Sequence, residues 1–229
     1  MQLFCFTFAG GTAAFFNQLE CACESKIEFV KMDYPGHGER HKEPFGESFQ
    51  DLGAEYVELI KKQYKGEGYA LMGYSMGSIT VTEIIRRIIE DGTLDMPLHI
   101  FLAAHDPHVE IDFSHEDMDI DEYVKKRTIK FGGVPEKLLN NKSFWRMYLP
   151  LYKADYLMIS RYDFNKLTLK TTIPTTIFFS EEDTPKTKME NWKKFFVGEC
   201  ELVEYNGSHF FINDHYEEMA EIIMERLCV

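Results

Sequence analysis

Short apolar runs recur along the chain, and the segments between them show helical periodicity. The runs fall at residues 3–8, 27–32, 69–74, 99–104, 175–180 and 200–205. They are nearly continuous and rich in β-branched and aromatic residues, which is typical of parallel strands covered on both faces. Residues 76–89, and the segment that Ser48 can cap, repeat apolar positions at spacings of three and four. This alternation predicts an α/β fold with a doubly wound sheet of about six parallel strands, helices on both faces, and ligands bound at the carboxyl ends of the strands.

One segment interrupts this alternation. Residues 104–172 are too many for a simple crossover, and they carry helical patterns around 120–131, 135–139 and 144–162. A long segment between core elements is commonly a binding element when it is rich in aromatic residues. We therefore predict a helical lid, inserted at about residues 105–172 into a single domain that spans residues 1–229.

Composition restricts the classes of function. The 229 residues are 45% hydrophobic and 28% charged, as in globular proteins, and no run of about 18 apolar residues is present. With no apolar leader either, we expect a cytoplasmic protein without membrane contact. Five cysteines without regular spacing indicate reduced thiols. The net charge of −13 argues against nucleic acid as a partner.

The strongest motif is the pentapeptide GYSMG at residues 73–77, which directly follows a predicted strand and begins a predicted helix. This is the context of a nucleophile elbow, in which the glycines allow a tight turn that exposes the serine hydroxyl. The backbone N–H of the next residue then points at the oxyanion. Ser75 is therefore the predicted nucleophile, and Met76 supplies one oxyanion-hole donor.

A serine nucleophile needs a base and an orienting carboxylate from later loops. His209, in the segment GSHFF, follows the last predicted strand, and Asp183 follows the fifth. Asp106, after the fourth predicted strand, is an alternative acid. The chain order Ser, Asp, His favours Ser75, Asp183 and His209 as a catalytic triad.

The second oxyanion donor is expected from the loop after the first strand, where small residues allow close approach of backbone to substrate. Ala9 and Gly10 are the two candidates. His105 and His108 have a spacing that can suit a metal, but no further ligand cluster accompanies them, so we expect no metal.

Together these segments resemble the type II thioesterases that accompany nonribosomal peptide and polyketide synthases, over the whole chain. The likeness rests on LFCFTFAGG at 3–11, YPGHGER at 34–40, the elbow, GGVP at 132–135, LPLYKAD at 149–155 and GSHFF at 207–211. The chain departs from the family's usual pattern at Thr7, where proline is common, and at AAHDP over 103–107, which replaces a Ser-Gly-Arg type of segment. The second departure leaves the substrate preference open.

The resemblance implies an α/β-hydrolase that removes acyl groups from the phosphopantetheine arm of carrier proteins, with Ser75, Asp183 and His209 as the triad and Met76 and Ala9 in the oxyanion hole. It implies editing of wrongly primed synthases in antibiotic biosynthesis, with no cofactor beyond the arm carried by the substrate protein. We expect a monomer whose partners are acyl or peptidyl carrier domains. The predicted substrate-binding residues are Gly10, Tyr74, Phe144, Tyr148, Met158 and Phe210.

Two other interpretations use the same residues. A general carboxylesterase or an acyltransferase would have the same triad, because the chemistry of the serine does not specify the acyl acceptor or the leaving group. A non-catalytic module that binds carrier proteins would not need a serine, an acid and a base in this order.

Overall fold

A computed structural model of the chain describes residues 1–108, 113 and 119–227. Within these residues six strands form one sheet in the order β2-β1-β3-β4-β5-β6, and every neighbouring pair is parallel. The strands are β1 (Gln2–Phe6), β2 (Glu28–Met32), β3 (Tyr69–Tyr74), β4 (His99–Ala103), β5 (Thr175–Ser180) and β6 (Cys200–Tyr205). The predicted parallel α/β sheet is therefore confirmed.

The sheet is covered on both faces by helices. The helices are α1 (Asn17–Ala22), α2 (Phe49–Gln63), α3 (Met76–Asp91), α4 (Ile120–Lys130), α5 (Lys142–Arg161), α6 (Lys186–Met189) and α7 (Tyr216–Leu227). Short 3-10 helices occur at Ala13–Phe16, Gly38–Arg40, Glu136–Leu138, Phe164–Lys166, Glu190–Lys194 and Phe211–Asp214. Helices α2 and α3 pack together on one face, and α1 and α7 pack together on the other.

The burial of the strands explains why their sequences read as continuous apolar runs. All residues of β1, β3, β4 and β5 are buried, because apolar side chains on both faces meet a helical layer. Strand β6 lies at the edge of the sheet and is only partly buried. Its more polar composition follows from that position.

The predicted lid lies between β4 and β5 and consists mainly of α4 and α5. Asp119 caps α4 through the N–H of Glu122, and Asn141 caps α5 through the N–H of Phe144. The predicted helical pattern at 135–139 is a single 3-10 turn. Residues 109–112 and 114–118 of the predicted lid lie outside the described residues.

Of the helices in the described part of the chain, none combines the length and the apolar character that crossing a membrane would require.

Strand β2 lies on one side of β1, and strands β3 to β6 follow on its other side. The strand order therefore reverses between β1 and β3, whose carboxyl ends lie side by side. Open α/β sheets bind ligands at such a switch point. Helix α3 begins directly after β3 and packs tightly on β1. A Cβ atom at Gly77 would lie 1.9 Å from the carbonyl oxygen of Phe6, and one at Gly73 would lie 2.3 Å from that of Gly77. Both positions require glycine.

Replacing Gly77 with alanine is expected to destabilise the fold, because the added methyl group meets rigid backbone and forces α3 away from the sheet. We expect a loss in the free energy of unfolding of about 3 kcal/mol, at the upper end of the usual overpacking range. Urea denaturation measures this loss. Gly133→Ala is the matched control, since a Cβ added there would lie 3.5 Å from Thr128 Cγ2, which is an ordinary contact distance. Equal stabilities for the two variants would contradict the tight packing at Gly77.

Candidate active site

Ser75 stands at the turn between β3 and α3 with a strained backbone. Its φ of 54° and ψ of −115° lie outside the regions that non-glycine residues ordinarily occupy. Strain of this kind persists where the surrounding packing enforces it, and it is concentrated at functional sites. The close packing of Gly73 and Gly77 supplies that enforcement. The turn thus holds the Ser75 hydroxyl above the carboxyl edge of the sheet.

His209 lies between Ser75 and Asp183. Its Nε2 atom is 3.0 Å from Ser75 Oγ, and its Nδ1 atom is 3.0 Å from each carboxylate oxygen of Asp183. Because a carboxylate only accepts hydrogen bonds, Nδ1 carries the proton and Nε2 of the neutral ring faces the serine hydroxyl as acceptor. The side chain of Asp183 is 5% exposed and that of His209 is 11% exposed. The structure therefore brings the three predicted residues into one hydrogen-bonded row.

The loop that carries His209 is fixed by contacts from the sheet and from the lid. The Tyr74 hydroxyl donates a hydrogen bond to the His209 carbonyl at 2.7 Å, and the Ser180 hydroxyl donates to the Gly207 carbonyl. The ring of Phe131, just after α4, lies 4.5 Å from the imidazole centroid. The imidazole thus has little freedom to leave its position between the two partners.

A cavity of about 320 Å³ opens beside Ser75. Its wall is formed by loops after β1, β3, β4, β5 and β6 and by the lid. The lining residues are Phe8, Ala9, Ser75, Ala104, His105, Asp106, His108, Arg127, Thr128, Lys130, Phe131, Gly133, Tyr152, Tyr156, Ile159, Glu182, Asp183, Thr184, Pro185, Lys188, Ser208, His209 and Phe210. Many of these are polar or charged, which is unusual for a site that binds only alkyl groups.

The two candidate donors in the loop after β1 have different surroundings. The N–H of Gly10 donates to Asp155 Oδ2 at 2.7 Å, so it is occupied by the protein itself. Ala9 lines the cavity. Met76 is the first residue of α3, and the first N–H groups of a helix have no partner within the helix. This geometry favours Ala9 over Gly10 as the donor beside Met76.

Asp155 and His37 form a buried pair that the sequence prediction missed as a functional element. His37 Nε2 lies 2.9 Å from Asp155 Oδ2, the oxygen that also accepts from Gly10. His37 Nδ1 lies 3.0 Å from the Pro35 carbonyl oxygen. Since both ring nitrogens face acceptors, this arrangement favours the doubly protonated imidazole and raises the pKa of His37. The pair joins the lid helix α5, the loop after β1 and the loop after β2. The sequence offered one signal of this pair, which is that the carboxylate of Asp155 falls on the apolar face of a predicted helix.

Of the six predicted substrate-binding residues, Phe210 lines the cavity and the other five lie elsewhere. Tyr74 is fully buried beneath the His209 loop, and Gly10 is covered by the ring of Tyr152, which a Cβ would overlap at 1.9 Å. Phe144 and Tyr148 stack on each other near the start of α5, and Met158 is buried in the core. Tyr152, Tyr156 and Ile159 of α5 line the cavity in their place.

Asp106 and the two histidines near it also line the cavity. The carboxylate that meets the Nδ1 atom of His209 is that of Asp183. Burial lowers the pKa of His105 to about 4, so its ring is neutral at pH 7. Among the residues that the structure describes, no group of three or more histidine, cysteine, aspartate or glutamate side chains is arranged to hold a metal ion.

The buried pair predicts a pH-dependent stability. Burial by itself lowers the pKa of His37, but the hydrogen bond and charge of Asp155 and the Pro35 carbonyl outweigh it, so the net pKa is raised. A raised histidine pKa contributes stability that is complete below the unfolded value of about 6.5 and disappears as pH rises through the folded value. The wild type should therefore exceed His37→Gln in unfolding free energy most below about pH 6.5, and this difference should shrink as pH rises through the raised pKa of His37.

Urea denaturation of both proteins across this pH range measures the difference. His41→Gln is the control, because His41 is exposed and, among the described residues, its ring bonds only the nearby Gly38 carbonyl. Its stability should follow that of wild type at every pH. A difference for His37→Gln that stays constant with pH would rule out a charged imidazole in the pair.

Comparison with known proteins gives the family. A model of the thioesterase domain matches residues 1–227. Thioesterase PikA5 of Streptomyces venezuelae is 27% identical over 100% of this chain and 82% of its own length. The medium-chain S-acyl fatty acid synthase thioesterase of Rattus norvegicus is 27% identical over 92% of this chain and 81% of its own.

Solved structures give the fold. ClbQ from the colibactin NRPS/PKS pathway has a TM-score of 0.85 at 24% identity and covers 99% of this chain and 96% of its own. This likeness confirms the predicted α/β-hydrolase fold, and the match to the domain model confirms the resemblance to thioesterases. The chain belongs to the thioesterase domain family and is a serine hydrolase that cleaves thioesters.

Proposed function

We propose that the chain hydrolyses acyl thioesters carried on the phosphopantetheine arm of carrier proteins and thereby removes wrongly loaded groups from nonribosomal peptide or polyketide synthases. The observation that carries the proposal is the hydrogen-bonded row of Ser75, His209 and Asp183 on the wall of one cavity. The pathway of ClbQ, and the fatty acid synthase named for the rat relative, support a carrier-bound substrate.

Acylation begins when His209 Nε2 takes the hydroxyl proton of Ser75 as Oγ attacks the thioester carbonyl carbon. The tetrahedral oxyanion accepts hydrogen bonds from the N–H groups of Met76 and Ala9. The carbon–sulfur bond then breaks, and the proton on His209 passes to the departing thiolate. The products of this half-reaction are the free thiol of the arm and an acyl ester on Ser75.

Deacylation repeats the sequence with water. His209 takes a proton from water as the oxygen attacks the ester carbonyl, and it returns that proton to Ser75 Oγ when the acid leaves. Asp183 accepts the hydrogen bond of Nδ1–H, which holds the ring in the required tautomer and stabilises the imidazolium without taking the proton. No metal or dissociable cofactor enters these steps.

We also propose that the enzyme acts as a monomer in the cytoplasm on the carrier domains of a synthase. The lid helices α4 and α5 form one wall of the cavity that would receive the phosphopantetheine arm. Phosphopantetheine belongs to the partner protein. Ala9, Phe131, Tyr152 and Phe210 line this cavity and are the proposed contacts of the acyl group.

Wild-type enzyme is expected to release acyl groups from loaded holo carrier proteins, and Ser75→Ala should slow this release by about a thousandfold or more, because the nucleophile is lost. Intact-protein mass spectrometry of carriers loaded with acetyl, aminoacyl and longer acyl groups measures the release. The variant should keep its fold, as judged by circular dichroism. Turnover of simple oxygen esters without release from any carrier would refute the thioesterase proposal in favour of a carboxylesterase.

The acid of the triad can be tested by two matched substitutions. Asp183→Asn is expected to lower kcat by about 10⁴-fold, because an amide no longer fixes the tautomer of His209. Asp106→Asn should change kcat by less than about tenfold, since Asp183 still meets Nδ1. Steady-state kinetics on a small-molecule thioester measures both. A larger loss for Asp106→Asn would reassign the acid.

A further inference from the structure

Arg127 projects from α4 into the wall of the cavity that contains Ser75. Its Nε atom is buried and, in the described residues, has no hydrogen-bond partner. Its Nη1 atom makes one long contact, 3.4 Å from the Tyr123 hydroxyl. A guanidinium has five N–H donors in a planar fork. Most of the hydrogen-bonding capacity of Arg127 therefore has no partner within the described chain.

Four other arginines pair with acids in the described residues, and the two that do not, Arg146 and Arg161, are exposed. Arg40 bonds Glu43 and Glu55, and Arg86 bonds Glu83 and Glu90. Arg127 forms no ion pair with any carboxylate of the described residues, although the chain holds 38 acidic residues against 25 basic ones. In so acidic a protein, a half-buried guanidinium that meets no carboxylate of the described residues is available to an anion bound in the cavity.

The immediate surroundings of Arg127 are aromatic. Its Cζ atom lies 4.9 Å from the centroid of the Phe131 ring and 5.9 Å from that of Tyr156, and both rings line the cavity. Cation–π contacts hold the guanidinium in place without using its N–H donors. The same Phe131 ring contacts His209. The cation is thus separated from the proposed base by a single side chain, within the space that a bound thioester would occupy.

A guanidinium held in this way can bind an anion that presents two oxygen atoms side by side, one to each of two parallel N–H groups. Carboxylate and phosphate both fit its fork, and such charge-assisted bonds are stronger than neutral ones. Lys130, one turn further along α4, also lines the cavity and adds a second positive charge to this wall. The acids that line the cavity are Asp106, Glu182 and Asp183, which come from the loops after β4 and β5 and not from helix α4.

We propose that Arg127 is an anion-binding residue of the substrate cavity, which binds either a carboxylate at the far end of the acyl chain or the phosphate of the phosphopantetheine arm. The proposal rests on the proposed thioesterase function for the identity of the ligand. If the ligand is the acyl carboxylate, the preferred substrates are thioesters of short dicarboxylic acids. If it is the phosphate, Arg127 positions the arm whatever acyl group it bears.

Four small substrates separate the two sources. Butyryl and succinyl groups match in chain length and differ in the terminal carboxylate, and each is presented on pantetheine and on 4′-phosphopantetheine. The variants are Arg127→Met, which removes the charge at similar length, and Arg127→Lys, which keeps it. Lys126→Met is the matched control. Lys126 is adjacent to Arg127 in the sequence, but its side chain is 75% exposed and pairs with Glu122. The value of kcat/KM is measured for each combination.

If the acyl carboxylate is the ligand, Arg127→Met lowers kcat/KM about 10- to 100-fold for both succinyl substrates and leaves both butyryl substrates unchanged. If the phosphate is the ligand, the loss appears for both phosphopantetheine substrates and for neither pantetheine substrate. Arg127→Lys restores part of either loss, and Lys126→Met shows neither. An equal loss on all four substrates, or no loss on any, overturns the proposal.

A binding measurement keeps this test independent of turnover. Calorimetric titration of wild type and Arg127→Met with succinate and with 4′-phosphopantetheine reports the anion site directly. If wild type hydrolyses none of the four thioesters, the thioesterase proposal fails for these substrates. Weaker binding of one anion by Arg127→Met still supports the anion site in that case. Equal binding of both anions by the two proteins overturns it.

Discussion

The contact of α3 with β1 determines where the reactive groups of this protein lie. Gly77 lies so close to the Phe6 carbonyl that no side chain fits between helix and sheet, and this proximity holds Ser75 in its strained turn. The loop after β1, which carries Ala9, comes from the neighbouring strand. The serine and the backbone donor therefore meet at the switch point of the sheet. Strands β5 and β6 end at the same edge and deliver Asp183 and His209 from its far side.

A second contact makes the lid part of the site. Asp155 of α5 accepts from the Gly10 N–H and pairs with His37, so one buried carboxylate joins three segments that are far apart in sequence. Buried ion pairs add little net stability, because desolvation offsets much of the attraction. Their effect is on geometry: Gly10 is held by the lid, and its neighbour Ala9 is held with it. The position of α5 thus affects the oxyanion loop as well as the cavity wall.

The sequence predicted the elements that depend on local patterns. The strands, the elbow and the order of the triad residues follow from apolar runs and from short motifs. The cavity wall was less predictable. Phe144, Tyr148, Tyr152 and Tyr156 repeat every four residues along α5, which is 20 residues and about 30 Å long. Periodicity identifies this stripe, but only the packing of the helix shows that the cavity lies beside its second half. The partner of Asp155 was unpredictable for the same reason, since it depends on a contact across 118 residues.

The polar wall of the cavity also bears on which acyl groups fit. An alkyl chain that filled this space would remove water from Arg127 and Lys130 without replacing its hydrogen bonds, and unsatisfied buried charges are strongly unfavourable. A polar or anionic group avoids that cost. The aromatic rings of Phe131 and Tyr156 contact the guanidinium and leave its N–H donors available to an anion in the cavity. Under the proposed role of Arg127, overall similarity to relatives of 27% identity does not determine acyl preference, because that preference depends on a few side chains of the lid.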